Sequence, residues 1–597
     1  METSKKLVED YLGNKDWRVK ENSNAPKSYG GLARYLSGEV IKDYWLREVY
    51  APKNPEIVDA YRYGFFHIHD LRDLTVYCCG YSLRQIIDKG VVGVSNIPHS
   101  QPAKHFMSIL NQVANLTTIF QNEIAGAVAF SSVDTLLAPF IKKDKLTYQE
   151  VKQHLQNFIF SINSNSRAGA EPAFTNVTLD ITPPHDLLNQ KAIIAGEPQE
   201  FTYKDCQEEM NMFNKAFCEL MIQGDAEGKP FAYPIPTYNI HKRFDWDNPN
   251  NELIWEMAGK YGYPYFTNYI NSDMNPEDAR SMCCRLRLDL RELRKRNGGL
   301  FGSGDSTGSI GVVTMNLPKL GYIASLKASS ESREKKKEMF YKLLDHYMEL
   351  AKQSLLIKRE YLEENILAAG VIPAFQEYVG TFDNHFNTIG LIGMNEMCVN
   401  LLGCDILSEE GKTFSLEVLD YMREKLSDYQ EETGQLFNLE ATPAESTAYR
   451  LAKIDRSQNK NIFTQGTEEA PYYTNSCHIP VKDLTTINNI LSHQDDLQCK
   501  FTGGTVVHLY IDGPITGKQA KSIVKTSFEK YKLPYMSLSP LNCVCPEHGL
   551  LMRKYDNCPL CGKETIKYVR ITGYIRPVKN WNPGKLSEFY DRHLIEV

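Results

Sequence analysis

The chain has 597 residues, a net charge of −7, 42% apolar and 24% charged residues. That length allows a large core or several domains, and the balance is ordinary for a globular protein. No long Lys/Arg run is present, the N-terminus lacks an apolar signal core, and IAGAVAF, the longest apolar stretch near position 130, is too short to span a bilayer. A nucleic-acid binder, a secreted protein and a membrane protein are therefore disfavoured. A soluble cytoplasmic protein is expected, whose fourteen cysteines serve as core residues, metal ligands or redox groups rather than as a disulfide framework.

Residues 1–30 are polar and read as an N-terminal arm with a helix. From Tyr44 to Phe160 the pattern is mostly helical, with Phe106, Ile109, Leu110, Val113 and Leu116 at helix spacing. HIHDLRDLTVYCCGYSL (67–83) carries two histidines, read as structural rather than as a metal site, and the adjacent Cys78 and Cys79. SMCCRL (281–286) places Cys283 beside Cys284; by residue type alone, such pairs are ordinary buried core cysteines. A Gly/Ser-rich loop (298–309) precedes the strand pattern SIGVVTMNL (309–317). A helix is expected from Ser329 to Glu364, with a Ser start and Leu344, Tyr347, Met348, Ala351 and Leu355 on one face.

FNLEATPAEST (437–447) sets Glu440 before a Thr442-Pro443 step that reads as a helix start. Its N-terminus, with Thr442 and Ser446, offers a phosphate site or a plain N-cap. GTVVHLYID (504–512) and YVRITGYI (568–575) read as strands. Alternating helices and buried strands give an α/β class.

NCVCPEHGLLMRKYDNCPLCGKE (542–564) holds two similar pieces, Cys545-Pro-Glu-His548-Gly and Cys558-Pro-Leu-Cys561-Gly. Each is a ligand pair separated by two residues and closed by a Gly that permits a tight turn. Two such knuckles build one closed tetrahedral site of the structural zinc type. Cys545, Cys558 and Cys561 are the first three ligands, and the fourth is His548 or Cys543, with His548 favoured by the symmetry of the knuckles.

Gly573 follows in RITGYIRP (570–577), ahead of VKNWNPGKLSEFYDRH. A lone Gly in a strand usually marks a bulge or a close approach. The zinc group, this glycine and the tail together resemble the glycyl-radical segment of anaerobic (class III) ribonucleotide reductases. ENSN (21–24), HIHDL, NEIAGAVAFSSVDTLLAPF (122–140), AFTNVTLD (173–180), GVVTMNLP (311–318) and GLIGMNE (390–396) extend the resemblance over almost the whole chain.

The resemblance implies a ten-stranded α/β barrel of the glycyl-radical enzyme and ribonucleotide reductase type over 31–533, with a finger loop near 281–286. A zinc ribbon (534–565) and a glycyl-radical segment (566–597) would follow. Gly573 would store the radical after hydrogen abstraction by a separate radical-SAM activase, using S-adenosylmethionine and an iron–sulfur cluster. Cys284 would carry the thiyl that abstracts the ribose 3′ hydrogen. Cys78 with Cys283 would form the reducing dithiol, recharged by a thioredoxin- or glutaredoxin-like protein, with Cys79 the alternative to Cys78. Glu440 stands where the formate-using branch has Tyr, and Ser309 where that branch has Asn; both differences favour the dithiol branch over formate. Substrates would be ribonucleoside triphosphates, with dNTP or ATP as specificity effectors on a homodimer. An N-terminal ATP-cone is not expected. Two other readings are a different glycyl-radical enzyme, such as an acyl-cleaving lyase, and a zinc-ribbon binding protein. The reductase reading requires the Gly573 Cα to lie near the Cys284 sulfur.

Overall fold

The structure is a computed structural model that describes residues 4–21, 23, 27–94, 97–164, 171–271, 279–281, 287–289, 306–551 and 554–597. Cys283 and Cys284 lie outside the described residues, so the required approach of Cys284 to Gly573 falls outside them too.

The central sheet has eleven strands. In chain order they are β1 (Phe66–Ile68), β2 (Cys78–Gly80), β3 (Val128–Phe130), β4 (Thr175–Leu179), β5 (Ile235–His241), β6 (Tyr265–Tyr269), β7 (Gly308–Asn316), β8 (His385–Ile392), β9 (Phe437–Glu440), β10 (Val507–Ile511) and β11 (Tyr535–Pro540). Their order in the sheet is β9-β8-β7-β2-β3-β4-β5-β6-β11-β10, with β1 antiparallel on β7. β2 to β6 are mutually parallel, as are β7 to β9 and the β10–β11 pair. The two halves meet antiparallel at β7–β2 and β6–β11.

The free edges are joined. Gly503 N donates to Leu439 O at 2.8 Å, and Ala441 N donates to Gly504 O at 2.7 Å, so the segment before β10 bonds to β9. The ten-strand path thereby closes into the expected α/β barrel, which removes its exposed edges.

The strands are apolar on their outer faces because helices cover them. Val128, Phe130, Val177, Leu179, Val313, Met315, Ile389 and Leu391 all belong to one buried cluster. The helix Arg333–Tyr361 shows why local sequence suffices for such elements: Ser332 accepts from Lys335 N as N-cap, and Leu344, Met348, Ala351 and Leu355 are buried along one side. Among the described residues, no helix is long and apolar enough to cross a membrane.

The helix spacing of Phe106 to Leu116 corresponds to the helix Phe106–Gln121, and a second helix, Val133–Asp144, follows β3; buried on both faces, that short strand lacks the alternation that announces one. Two local expectations are corrected. The segment from residue 534 does not open the ribbon, because Tyr535–Pro540 first completes the barrel. The continuous strand expected over 568–575 is instead a hairpin. Its arms, Ile566–Arg570 and Ile575–Pro577, pair antiparallel with Arg570 opposite Ile575, and Gly573 sits in the tip.

That hairpin shares a four-stranded antiparallel sheet with Asn542–Cys545 and Gly549–Leu551. The ribbon and the glycine segment are thus one small unit. A final helix, Pro583–Asp591, packs on helix Ser446–Gln458; a Cβ at Gly584 would lie 2.6 Å from that of Tyr449, so glycine permits the approach.

Candidate active site and metal centre

The hairpin tip lies inside the barrel wall. Gly573 is buried, and its carbonyl accepts 2.6 Å from the Tyr265 hydroxyl of β6 and 3.0 Å from Arg570 Nη1. Arg570 is 2% exposed, lies 4.3 Å over the Tyr265 ring and donates to Ser539 of β11 and to the carbonyl of Gly262. Tyr265 stacks on Tyr535 at 5.1 Å. The tip's own peptide links, Arg570 O and Ile571 O, accept from Arg592 at 2.9 and 3.1 Å. Tyr574 donates to Glu445, whose other oxygen accepts 2.8 Å from Ser23 N. Burial raises the Glu445 carboxyl above its ordinary range, against the pull of the Tyr574 hydroxyl. These clamps hold the tip from the barrel, the C-terminal helix and the N-terminal arm at once.

Strand alternation separates the two cysteines of β2. Cys79 joins the outer core, where burial pushes its thiol far up. Cys78 points the other way, into a cluster with Ala127, Phe386 and Leu436, and Phe174 packs against it. Phe174 also meets Tyr574 edge-on at 5.6 Å, so one ring separates the Cys78 environment from the glycine hairpin. Ala127 N donates to Cys78 Sγ at 3.3 Å, and a Cβ on Gly126 would lie 2.7 Å from that sulfur. Bare backbone therefore gives the thiol its place.

Glu440, at the end of β9, is 3% exposed. It shares the inner face with Leu436, a neighbour of Cys78. Thr442 follows, with Oγ1 at 2.9 Å from Thr314 Oγ1, which lies 2.8 Å from His69 Nε2. Burial pushes His69 down to about 3, so the ring is neutral. His67 lies 3.2 Å from Arg450. The reading of Thr442-Pro443 as a helix start is corrected: the helix begins at Ser446, and Glu445 at the N-cap makes no side-chain cap. Ala444 N closes instead onto Thr442 O at 2.9 Å, a tight turn that holds Pro443 out of the helix.

Thus Cys78, Glu440, Thr442 and the Gly573 hairpin all belong to one interior. The sequence reading passed over Tyr265, Arg570 and Phe174. Arg570 stood inside the glycine motif; Tyr265 and Phe174 carried no local signal, since their neighbours come from remote strands.

Ligand atoms of Cys545, His548, Cys558 and Cys561 lie within 4.8 Å of one another. Cys545 Sγ is 3.6 Å from His548 Nδ1 and from Cys561 Sγ, and Cys558 Sγ is 3.5 Å from His548 Nδ1. A tetrahedral ion with bonds of about 2.0–2.3 Å has edges of this size. Glu547 N faces Cys545 Sγ at 3.4 Å, and both knuckle glycines, Gly549 and Gly562, are left-handed at φ +68° and +72°. Cys543 packs beside the cluster from the same face of its strand but is not part of the four-residue group.

A barrel of two antiparallel halves with a buried glycine hairpin defines the class. The model of the anaerobic ribonucleoside-triphosphate reductase family matches residues 21–594, and the chain belongs to that family. It is an oxidoreductase that reduces ribonucleotides. The chain is 23% identical to the anaerobic ribonucleoside-triphosphate reductase of Escherichia coli, over 96% of this chain and 82% of that protein. It is likewise 23% identical to that of Enterobacteria phage T4, over 97% of each. The Thermotoga maritima anaerobic ribonucleotide reductase in complex with dATP and CTP shares the fold, with a TM-score of 0.74, 22% identity, and coverage of 98% of this chain and 100% of that one.

Proposed function

We propose that this chain reduces ribonucleoside triphosphates through a radical stored on Gly573 and relayed to Cys284. The observation that carries the reading is the glycine hairpin inside the barrel, clamped through its carbonyl by Tyr265 and Arg570. A glycine Cα radical delocalises into both flanking amides only when no side chain prevents the carbon from flattening. A separate activase, supplying S-adenosylmethionine and an iron–sulfur cluster, abstracts the Cα hydrogen.

The Cys284 thiyl then takes the ribose 3′ hydrogen, water leaves C2′, and Cys284 gives the hydrogen back to C3′ once C2′ is reduced, which restores the thiyl. Cys78 and Cys283 supply two electrons and two protons as they close into a disulfide. A thioredoxin- or glutaredoxin-like dithiol reopens that disulfide and is itself oxidised. Glu440 accepts the 3′-hydroxyl proton and returns it. Thr442 and the helix N-terminus at Ser446 face the substrate phosphates. Zinc held by Cys545, His548, Cys558 and Cys561 is structural, because four protein ligands leave no open position. The domain reading becomes a barrel through Pro540 followed by a unit that unites ribbon and radical hairpin. Nucleotides such as the dATP and CTP of the Thermotoga structure act here as effector and substrate on a homodimer in the cytoplasm.

The test is anaerobic activation with a radical-SAM partner followed by electron paramagnetic resonance. The native chain should give a doublet and redoxin-driven turnover; Gly573→Ala should give neither. A doublet and turnover that persist in Gly573→Ala would overturn the assignment. Cys78→Ser should keep the doublet and lose redoxin-driven turnover; undiminished turnover would remove Cys78 from the dithiol.

A further inference from the structure

Buried polar atoms are almost always paired, so those left without a partner mark places completed by a ligand or solvent. The barrel interior holds such a place on β9. Asn438 is 1% exposed, yet neither amide atom has a hydrogen-bond partner among the described residues.

Its position follows from register. Ser309 of β7 lies opposite Cys78 of β2. Ser309 Oγ is 2.8 Å from Thr388 Oγ1 on β8, and Thr388 pairs directly with Asn438. Ser309, Thr388 and Asn438 therefore form one diagonal row across the inner wall; by register Ser309 pairs with Phe386, and Cys78 stands at the Ser309 end of the row. Leu436 and Phe386, which pack against Cys78, flank the amide on its own strand and on the next. Asn438 and Phe386 also line a cavity of about 520 Å³ together with Asp420, Arg423 and Gln430 of the helix Glu409–Thr433, which covers this end of β9. The closing segment of the barrel stays bare beside it: a Cβ at Gly503 would lie 3.1 Å from Asn438 Cγ.

The polar groups of the row differ in what they still offer. Ser309, which stands where the formate branch has Asn, is engaged with Thr388 and with Gly311 O at 3.1 Å. Asn438 alone in the row presents a free donor and a free acceptor. A carboxamide with both free matches two adjacent hydroxyls, accepting from one and donating to the other.

We propose that Asn438 positions the substrate by binding the vicinal 2′,3′-diol of its ribose, in the interior that also holds Cys78. This rests on the reductase reading and adds a specificity to it. The ribonucleotide makes both contacts; the product, lacking the 2′-hydroxyl, leaves one amide atom unpaired and is bound less tightly. Discrimination of this kind is strong because the site's own buried group is left unsatisfied. No chemistry passes through Asn438, and its role is orientation of the sugar.

The test uses the full chain, activated anaerobically, with Asn438→Ala. The glycyl doublet should be undiminished while kcat/KM falls about ten- to a hundredfold, the scale of a lost buried hydrogen bond. Inhibition constants for the deoxy product and for an unreactive ribonucleotide analogue, taken at one effector concentration, should converge. An unchanged kcat/KM, or an unchanged preference for the ribonucleotide form, would overturn the proposal. If Asn438→Ala does not form the radical, the nearly isosteric Asn438→Leu, which removes donor and acceptor without adding a charge, is read by the same criterion. A native chain that gives no doublet counts against the reductase reading and leaves the diol contact to be measured by binding of the two nucleotides.

Discussion

Gly573 is gripped by its carbonyl, and that grip leaves its Cα unencumbered. Tyr265 and Arg570 both donate to the same oxygen, which fixes the peptide plane into which an unpaired electron at Cα would spread. Two donors on one carbonyl also polarise one another through the Arg570 guanidinium over the Tyr265 ring. Tyr265→Phe keeps the stack on Tyr535 and deletes the hydroxyl. The doublet per chain should fall several-fold under identical activation, as expected for about 1 kcal/mol of lost hydrogen bonding; spin counting checks it. Glu440→Gln is nearly isosteric. It should leave the doublet intact and lower turnover by about 10²–10⁴-fold, the usual worth of a positioned acid–base group. Assay of deoxynucleotide formation at equal spin content would show it.

The elements that hold the hairpin are small, and each depends on a local staple. The ribbon sheet has four short strands, in a unit too small to be stable without additional constraint. Removal of the ion by a strong chelator, or Cys558→Ser, should therefore loosen the hairpin and lower the temperature at which the C-terminal unit becomes protease-sensitive. Metal analysis should show one equivalent of zinc lost with it. The final helix carries a buried triad. Glu588 accepts from Lys585 and, at 2.8 Å, from Arg592, and all three are buried. Burial alone would raise the Glu588 carboxyl; the two cations outweigh it and hold it below the ordinary range. Its contribution is complete above the unfolded carboxylate pKa of about 4.3 and is lost as pH falls through the lower folded value. Glu588→Gln should cost about 3–5 kcal/mol at neutral pH, since it leaves buried cations uncompensated. Denaturant melts across pH 3–7 should show the native chain losing stability on the acid side, toward the already weakened variant.

At the scale of the whole molecule, the barrel is built in two halves, each of parallel strands, that meet antiparallel, and the Gly573 hairpin from the C-terminal unit enters it. The closure depends on backbone bonds between Leu439 or Ala441 and Gly503 or Gly504. The cavity beside Asn438 opens next to that junction. The tip is held at once by contacts to Glu445, Arg592 and Tyr265. Once activated, the chain should be sensitive to air. Exposure to dioxygen should sever it near Gly573, giving a truncated band and a matching mass loss that unactivated chain and Gly573→Ala do not show.

The motifs that chemistry constrains locally were readable from the chain: ligand spacing and tight turns in the zinc knuckles, a Ser cap and apolar stripe in the long helix, and the glycine in its tail. Each depends on residues within a few turns of one another. The short inward strands were less readable, because β3 is buried on both faces and loses the alternation that identifies a strand. The split of YVRITGYI into a hairpin was hidden for a different reason, since β-rich residues on both arms read as one strand. Which of Cys78 and Cys79 faces the interior, that Tyr265 and Arg570 converge on Gly573, and that Asn438 is left without a partner depend on register between strands hundreds of residues apart. Pairing across such distances is set by how the whole barrel packs and closes, and no local window of sequence contains it.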